Sequence, residues 1–191
     1  MTEKKLLTIV LLINLSFFFI EIGAGVLSGS MGLTADSLDM LADAFVYGLS
    51  LYVSGKTLLL KKRVALASGY SQLILALLGI SEVIRRFVNP EAVPDFYVMI
   101  IVSLFALAAN SVSLYLLMKH KNKEAHITAS KICTSNDVIV NFGVILAGGL
   151  VFLTKSNKPD LIIGLAVFYL VVKGAFKIIK LGSKKIAANE S

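Results

Sequence analysis

Five side chains able to bind a cation stand in stretches that are otherwise apolar: Asp36, Asp39 and Asp43 in GLTADSLDMLADAFVY, and Cys133 and Asp137 in ICTSNDVIV. An ionised carboxylate at the centre of a bilayer costs roughly 2.5–3.5 kcal/mol on the insertion scale, so three along one span must be neutralised by bound cations, protons or basic partners. Positions four apart on an α-helix are separated by about 6 Å of rise and about 40° of rotation. Asp39 and Asp43 therefore share one helix face, and Cys133 and Asp137 share a face of another. Packed face to face, the two pairs offer three carboxylates and a thiolate around a common point. That donor set suits a tetrahedral divalent transition metal: Zn²⁺ accepts mixed S/O coordination at about 2.0–2.3 Å, as do Cd²⁺ and Co²⁺, whereas Mg²⁺ gains little from sulfur. Asp36, three residues before Asp39, falls near the same face but closer to the end of the span, as a proton acceptor or outer ligand.

Each residue taken alone has a plainer reading. Cys133 fits a small buried hydrophobe, and a membrane aspartate fits pairing with a lysine such as Lys173, or a protonated state. Glu21 and Asn14 in the first apolar run, and Asn110 in the fourth, suit helix-to-helix hydrogen bonds or the lining of an ion pathway. Asn136 and Asn141 flank Asp137, where an amide can orient its carboxylate or simply bond a neighbouring helix. His120 and His126 lie in a basic connection, as solvated side chains or a metal relay.

The elements that must position these residues are six apolar runs: Leu6 to Ser28, Gly32 to Gly55, Val64 to Val88, Phe96 to Met118, Ile132 to Thr154 and Leu161 to Ile179. With 57% hydrophobic and 16% charged residues and a mean hydropathy of +0.82, the chain reads as an all-α polytopic membrane protein of six transmembrane helices. Most of its 19 Lys and Arg residues group before the first run, after the second, after the fourth and after the sixth, which places both termini in the cytoplasm. The net charge of +7 thus belongs to topogenic flanks rather than to a nucleic-acid surface. The connections expected are Ser28 to Met31, Lys56 to Arg63, Asn89 to Asp95, Lys119 to Ala129 and Thr154 to Asp160. Residues 1–181 form the membrane domain and 182–191 a short polar cytoplasmic tail. The first run reads as a retained helix, since no cleavage site follows it. The single cysteine excludes an intramolecular disulfide. A weak echo between LDMLADAFVYGLSL and ICTSNDVIVNFGVIL points to the second and fifth runs as the cooperating pair.

The run GVLSGSMGLTADSLDMLADAFVYGLSLY resembles the second-span signature of the cation diffusion facilitators, and FFFIEIGAGVLSGS the end of their first span. ASKICTSNDVIVNFGVILAGGLVFLTKSNKPDLIIGLAV resembles their HxxxD helix running into PD and the sixth span. The resemblance implies a mid-membrane site for the transported metal at Asp39 and Asp43 with Cys133 and Asp137, and a homodimer. Cys133 stands where the family usually has His, which shifts the expected preference toward thiophilic ions. No carboxylate or histidine accessory site follows the second span, and the family's cytoplasmic metal-binding domain has no counterpart after Leu181, which reads as a compact, transmembrane-only member.

The function expected is export of Zn²⁺, or of Cd²⁺ or Co²⁺, from the cytoplasm in exchange for protons, in the inner membrane of a prokaryote. The ion is substrate rather than cofactor, and no enzymatic constellation emerges. Two alternatives stand beside it: a non-transporting metal-binding subunit or sensor that partners a full-length relative, and a proton-conducting or structural bundle whose aspartates never meet metal. Gly23, Gly25, Gly143, Gly148 and Gly149 are expected to allow close, slidable helix contacts.

Overall fold

The computed structural model describes residues 2–53, 56–119 and 125–183, and among them the regular structure is six α-helices. These are α1 (Glu3–Ser28), α2 (Met31–Val53), α3 (Leu58–Val88), α4 (Phe96–Lys119), α5 (Ala125–Thr154) and α6 (Lys158–Ser183). Five of them contain stretches long and apolar enough to cross a membrane: α1, α3, α4, α5 and α6. α2 is the exception because every 18-residue window of it contains Asp36, Asp39 and Asp43. Its 23 residues still extend about 34 Å.

Two helices begin well before their apolar runs, by more than a turn. α3 starts at Leu58, capped by Thr57, whose Oγ1 accepts from Leu60 N at 3.4 Å. Lys62 and Arg63, expected in a connection, are therefore helical. α5 starts at Ala125 rather than near Ile132, because AHITASK contains no helix breaker and continues the apolar segment as a polar extension. His120 lies outside the described residues, as does the His126 side chain. α6 runs through Gly182 to Ser183, and residues 184–191 of the expected tail lie outside the described residues.

The ends of α1, α3 and α5 meet at one end of the bundle and are tied there through their loops. Gly29 takes the left-handed conformation (φ 72°) that turns α1 sharply into α2. Asp95 N donates to Ser28 O at 3.0 Å, Arg86 Nη1 to Gly29 O at 3.0 Å, and Asn157 Nδ2 to Glu91 O at 3.1 Å. Arg85 and Arg86 pair with Glu82 and Glu91 at 2.6–3.2 Å.

The core divides into two apolar clusters. One, toward the tied end, joins Met31, Leu33, Ala76, Met99, Val140, Val144 and Phe168 with their neighbours. The other joins Leu6, Leu7, Val10, Val46, Tyr47, Ala65, Leu117, Ile127, Cys133 and Ile178. Between them lies a polar layer. Along α2, the first cluster ends at Ala35, the aspartates follow, and the second begins at Val46. Along α5, Asp137 falls between Val140 and Cys133.

The tightest helix approach is not at the glycines singled out from the sequence. Gly23 and Gly149 have open space where a Cβ would stand, and Gly143 has only ordinary contact with Ile163. Gly25 and Gly148 are crowded, by Thr34 and Ile100. The closest packing joins α3 to α6: a Cβ at Gly79 would enter the Phe168 ring, one at Gly69 would crowd Ile179, and one at Gly182 would stand 2.9 Å from Lys62 O. Small residues here let two backbones approach, as at membrane helix interfaces.

Candidate metal site

Asp36 and Asp137 are fully buried, and Asp39, Asp43 and Cys133 nearly so. The i, i+4 spacing turns Asp39 and Asp43 of α2, and Cys133 and Asp137 of α5, into the same polar layer. Asp43 Oδ1 and Cys133 Sγ both lie within reach of one amide nitrogen of α3, and Asp137 stands in the electrostatic field of Asp43, Asp39, Asp36 and Glu21. Among the described residues, no three His, Cys, Asp or Glu side chains close to the separation that would by itself hold a metal ion.

The layer is short of donors. Among the described residues, neither oxygen of Glu21, Asp36 or Asp137 has a hydrogen-bond partner, and Oδ2 of Asp43 has none. Glu21 and Asp36 are buried carboxyls close enough to act on each other, and a donor exists between them only when one carries a proton. Lys173 does not neutralise the aspartates: its side chain is exposed on α6, beside Tyr169, Phe176 and Lys177.

The amides behave differently from simple interhelical glue. Asn14 Nδ2 donates to Val10 O of its own helix at 3.1 Å, and Asn14 Oδ1 and both polar atoms of Asn110 are buried without partners among the described residues. Asn141 donates to the backbone carbonyl of Asp137 at 2.7 Å rather than to its carboxylate. Asn136 faces the groove of Leu114, Lys131 and Lys177, and its Nδ2 approaches Gly174. Ser103, Asn110 and Ser113 give α4 a buried polar file toward the bundle interior.

Two further residues, in or beside the layer, are not among those singled out from the sequence. Gln72 of α3 donates from Nε2 to Asp43 Oδ1 at 3.0 Å and to Cys133 Sγ at 3.6 Å. Tyr47, four residues after Asp43, contacts the Thr134 hydroxyl and donates to Ser130 O at 3.3 Å, joining α2 to α5 one turn further on. The spacing of Tyr47 from Asp43 is a readable signal, whereas Gln72 is one amide in an apolar run.

Fold and site together define an integral membrane bundle with an acidic, sulfur-containing layer enclosed between apolar clusters. Residues 7–57 and 60–186 match the cation efflux transmembrane domain, and the chain belongs to that family. It is a multi-pass membrane protein. It is 25% identical to the zinc transporter ZitB of Escherichia coli over 181 residues, covering 88% of this chain and 58% of that protein. It is 28% identical to the ZitB of Pectobacterium atrosepticum, covering 93% of this chain and 59% of the relative. A cadmium, cobalt and zinc/H(+)-K(+) antiporter of Bacillus subtilis is 25% identical over 93% of this chain and 61% of its own length. The chain thus spans about three-fifths of the relatives it matches.

Proposed function

We propose that the chain is a secondary transporter that exports Zn²⁺, Cd²⁺ or Co²⁺ from the cytoplasm in exchange for protons, through a site formed by Asp39, Asp43, Cys133 and Asp137. The observation that carries this reading is the enclosed polar layer, where two helices bring carboxylates and a thiol together with few donors to hold their charge. A divalent cation or protons can supply that charge balance in turn. Thiolate and carboxylate must lose protons to bind metal, so loading releases protons and reprotonation from the far side favours release. Glu21 and Asp36 form the proton-sharing pair beside the site, and Asn14 and Asn110 line the approach. Names of the relatives, which include zinc, cadmium and cobalt transporters, support the substrate class.

All six helices cross the membrane in this reading, with both termini cytoplasmic. α1 and α3 end at the same tied end of the bundle, so α2 must return the chain across it. The lysine-rich flanks then lie on the cytoplasmic side of a prokaryotic inner membrane. The sequence contains no nucleotide-binding motif, which leaves the proton gradient as the energy source, and the family resemblance supports a homodimer.

The test is metal flux into proteoliposomes holding the purified chain and a lumenal pH dye. Zn²⁺ or Cd²⁺ entry coupled to opposite proton movement is expected, and Cys133→His should re-rank the two metals in favour of Zn²⁺. Metal binding without flux in any variant would sink the transporter reading.

A further inference from the structure

Gln72 is the contribution of α3 to the polar layer, and its chemistry is specific. The side chain is 3% exposed, and one amide nitrogen serves both Asp43 Oδ1 at 3.0 Å and Cys133 Sγ at 3.6 Å. A primary amide has two diverging N–H groups and carries no charge. It can hold a carboxylate of α2 and a sulfur of α5 together without adding a cation that would compete with metal, as a lysine would, or another anion, as a glutamate would. Gln72 Oε1 is buried without a partner among the described residues, so the amide is oriented by these two acceptors.

We propose that Gln72 is a positioning residue that clamps the carboxylate–sulfur edge of the site and thereby sets its metal preference. The proposal rests on the metal-site reading above. Asp43 and Cys133 each rotate about χ1, and the clamp restricts both rotations at once. Zn²⁺ needs all its short bonds satisfied together, so loosening Asp43 weakens zinc strongly. Cd²⁺ is larger and draws more of its affinity from sulfur, and so tolerates a displaced carboxylate better. The clamp therefore favours zinc at a site whose cysteine favours thiophilic ions.

The experiment is equilibrium binding of Zn²⁺ and Cd²⁺ to the detergent-purified chain, read by chelator competition, by cadmium–thiolate absorption and by thermal unfolding. It compares the native chain, Gln72→Met and Gln72→Asn. Loss of an outer partner of a metal ligand typically costs about 10-fold to 100-fold in affinity. Gln72→Met should lose zinc affinity in that range and cadmium affinity by less, with the thiolate absorption retained. Gln72→Asn keeps the amide but is one methylene too short to span both acceptors, and should fall between Met and native. It also serves as the folded comparison if Gln72→Met does not fold. Unchanged affinities, or zinc and cadmium falling in parallel alongside a lowered unfolding temperature, would overturn the positioning role, as would a shift toward zinc. If the native chain binds neither metal, the metal-site reading fails and takes this proposal with it. Native binding with silent Gln72 variants overturns the proposal alone.

Discussion

Asp160 and Asp137 are aspartates of nearly equal burial in opposite surroundings. Asp160, from the first turn of α6, caps the start of α2: Oδ1 accepts from Ser30 Oγ at 2.8 Å and Gly32 N at 2.9 Å, and Oδ2 from Met31 N at 2.5 Å. Ser30 completes the cap by accepting from Leu33 N at 3.1 Å. The carboxylate thus satisfies orphan donors at a helix N-terminus, where the backbone dipole also favours negative charge. A Cβ at Gly32 would stand 2.9 Å from Asp160 Oδ1, so glycine is what permits the approach. Asp137 has no such donors among the described residues and faces other carboxylates instead. A buried carboxylate whose counter-groups are built into the backbone stabilises the fold. One without them leaves its charge to be balanced by a proton or a bound cation.

The comparison breaks first at Asp137. Asp137→Asn is expected to lower metal flux and metal affinity by at least about 100-fold, since losing a ligand should exceed the cost of losing an outer partner. It should leave thermal stability unchanged or higher, because a buried carboxyl without partners among the described residues is replaced by an uncharged amide of the same shape. Flux and unfolding measured on the same preparation check both halves. A destabilised variant that still transports would place Asp137 with Asp160. The reverse pattern is expected of Asp160→Ala. Two backbone N–H groups and a hydroxyl lose a charged acceptor in a buried place, at roughly 3–5 kcal/mol. Its metal affinity, measured below the unfolding transition, should match the native chain.

Much of this was legible in the sequence, and the limits are physical. Hydropathy located the apolar body of each of the six helices, but it missed the starts of α3 and α5, where polar and basic residues end the apolar signal before the hydrogen bonding ends. The i, i+4 spacing of Asp39 with Asp43 and of Cys133 with Asp137 was readable because helix geometry is fixed, and the structure brings both pairs to one layer. Gln72 was not readable because nothing local in YSQLILALL says which neighbour the amide meets. Asp160 reads from the sequence as the end of a connection, and its capping role depends on residues about 130 positions earlier in the chain. The glycines marked close contacts only in part, at Gly25 and Gly148, because the position of a glycine does not say which helix comes close: the tightest approach joins α3 and α6, distant in sequence.

Tyr47 sharpens the boundary between the two kinds of buried polar group with the smallest expected effect. It lies on the aspartate face of α2, one turn beyond Asp43, yet its ring packs into the apolar cluster with Leu7, Val10 and Ile178. Its hydroxyl meets Thr134 and Ser130 O. Tyr47→Phe keeps the ring and removes one interhelical hydrogen bond, which in membrane proteins is worth about 0.6 kcal/mol on average. A small fall in unfolding temperature is therefore expected. If the whole loss were transmitted to the site, metal affinity would change by no more than about threefold, since 1.4 kcal/mol corresponds to tenfold. Such a result would place Tyr47 with Asp160, as a fastener of α2 to α5 beneath the site. A loss of metal binding as large as that of Asp137→Asn would instead extend the functional layer one turn further along α2, since the missing atom would have to act on the ligands rather than on the packing.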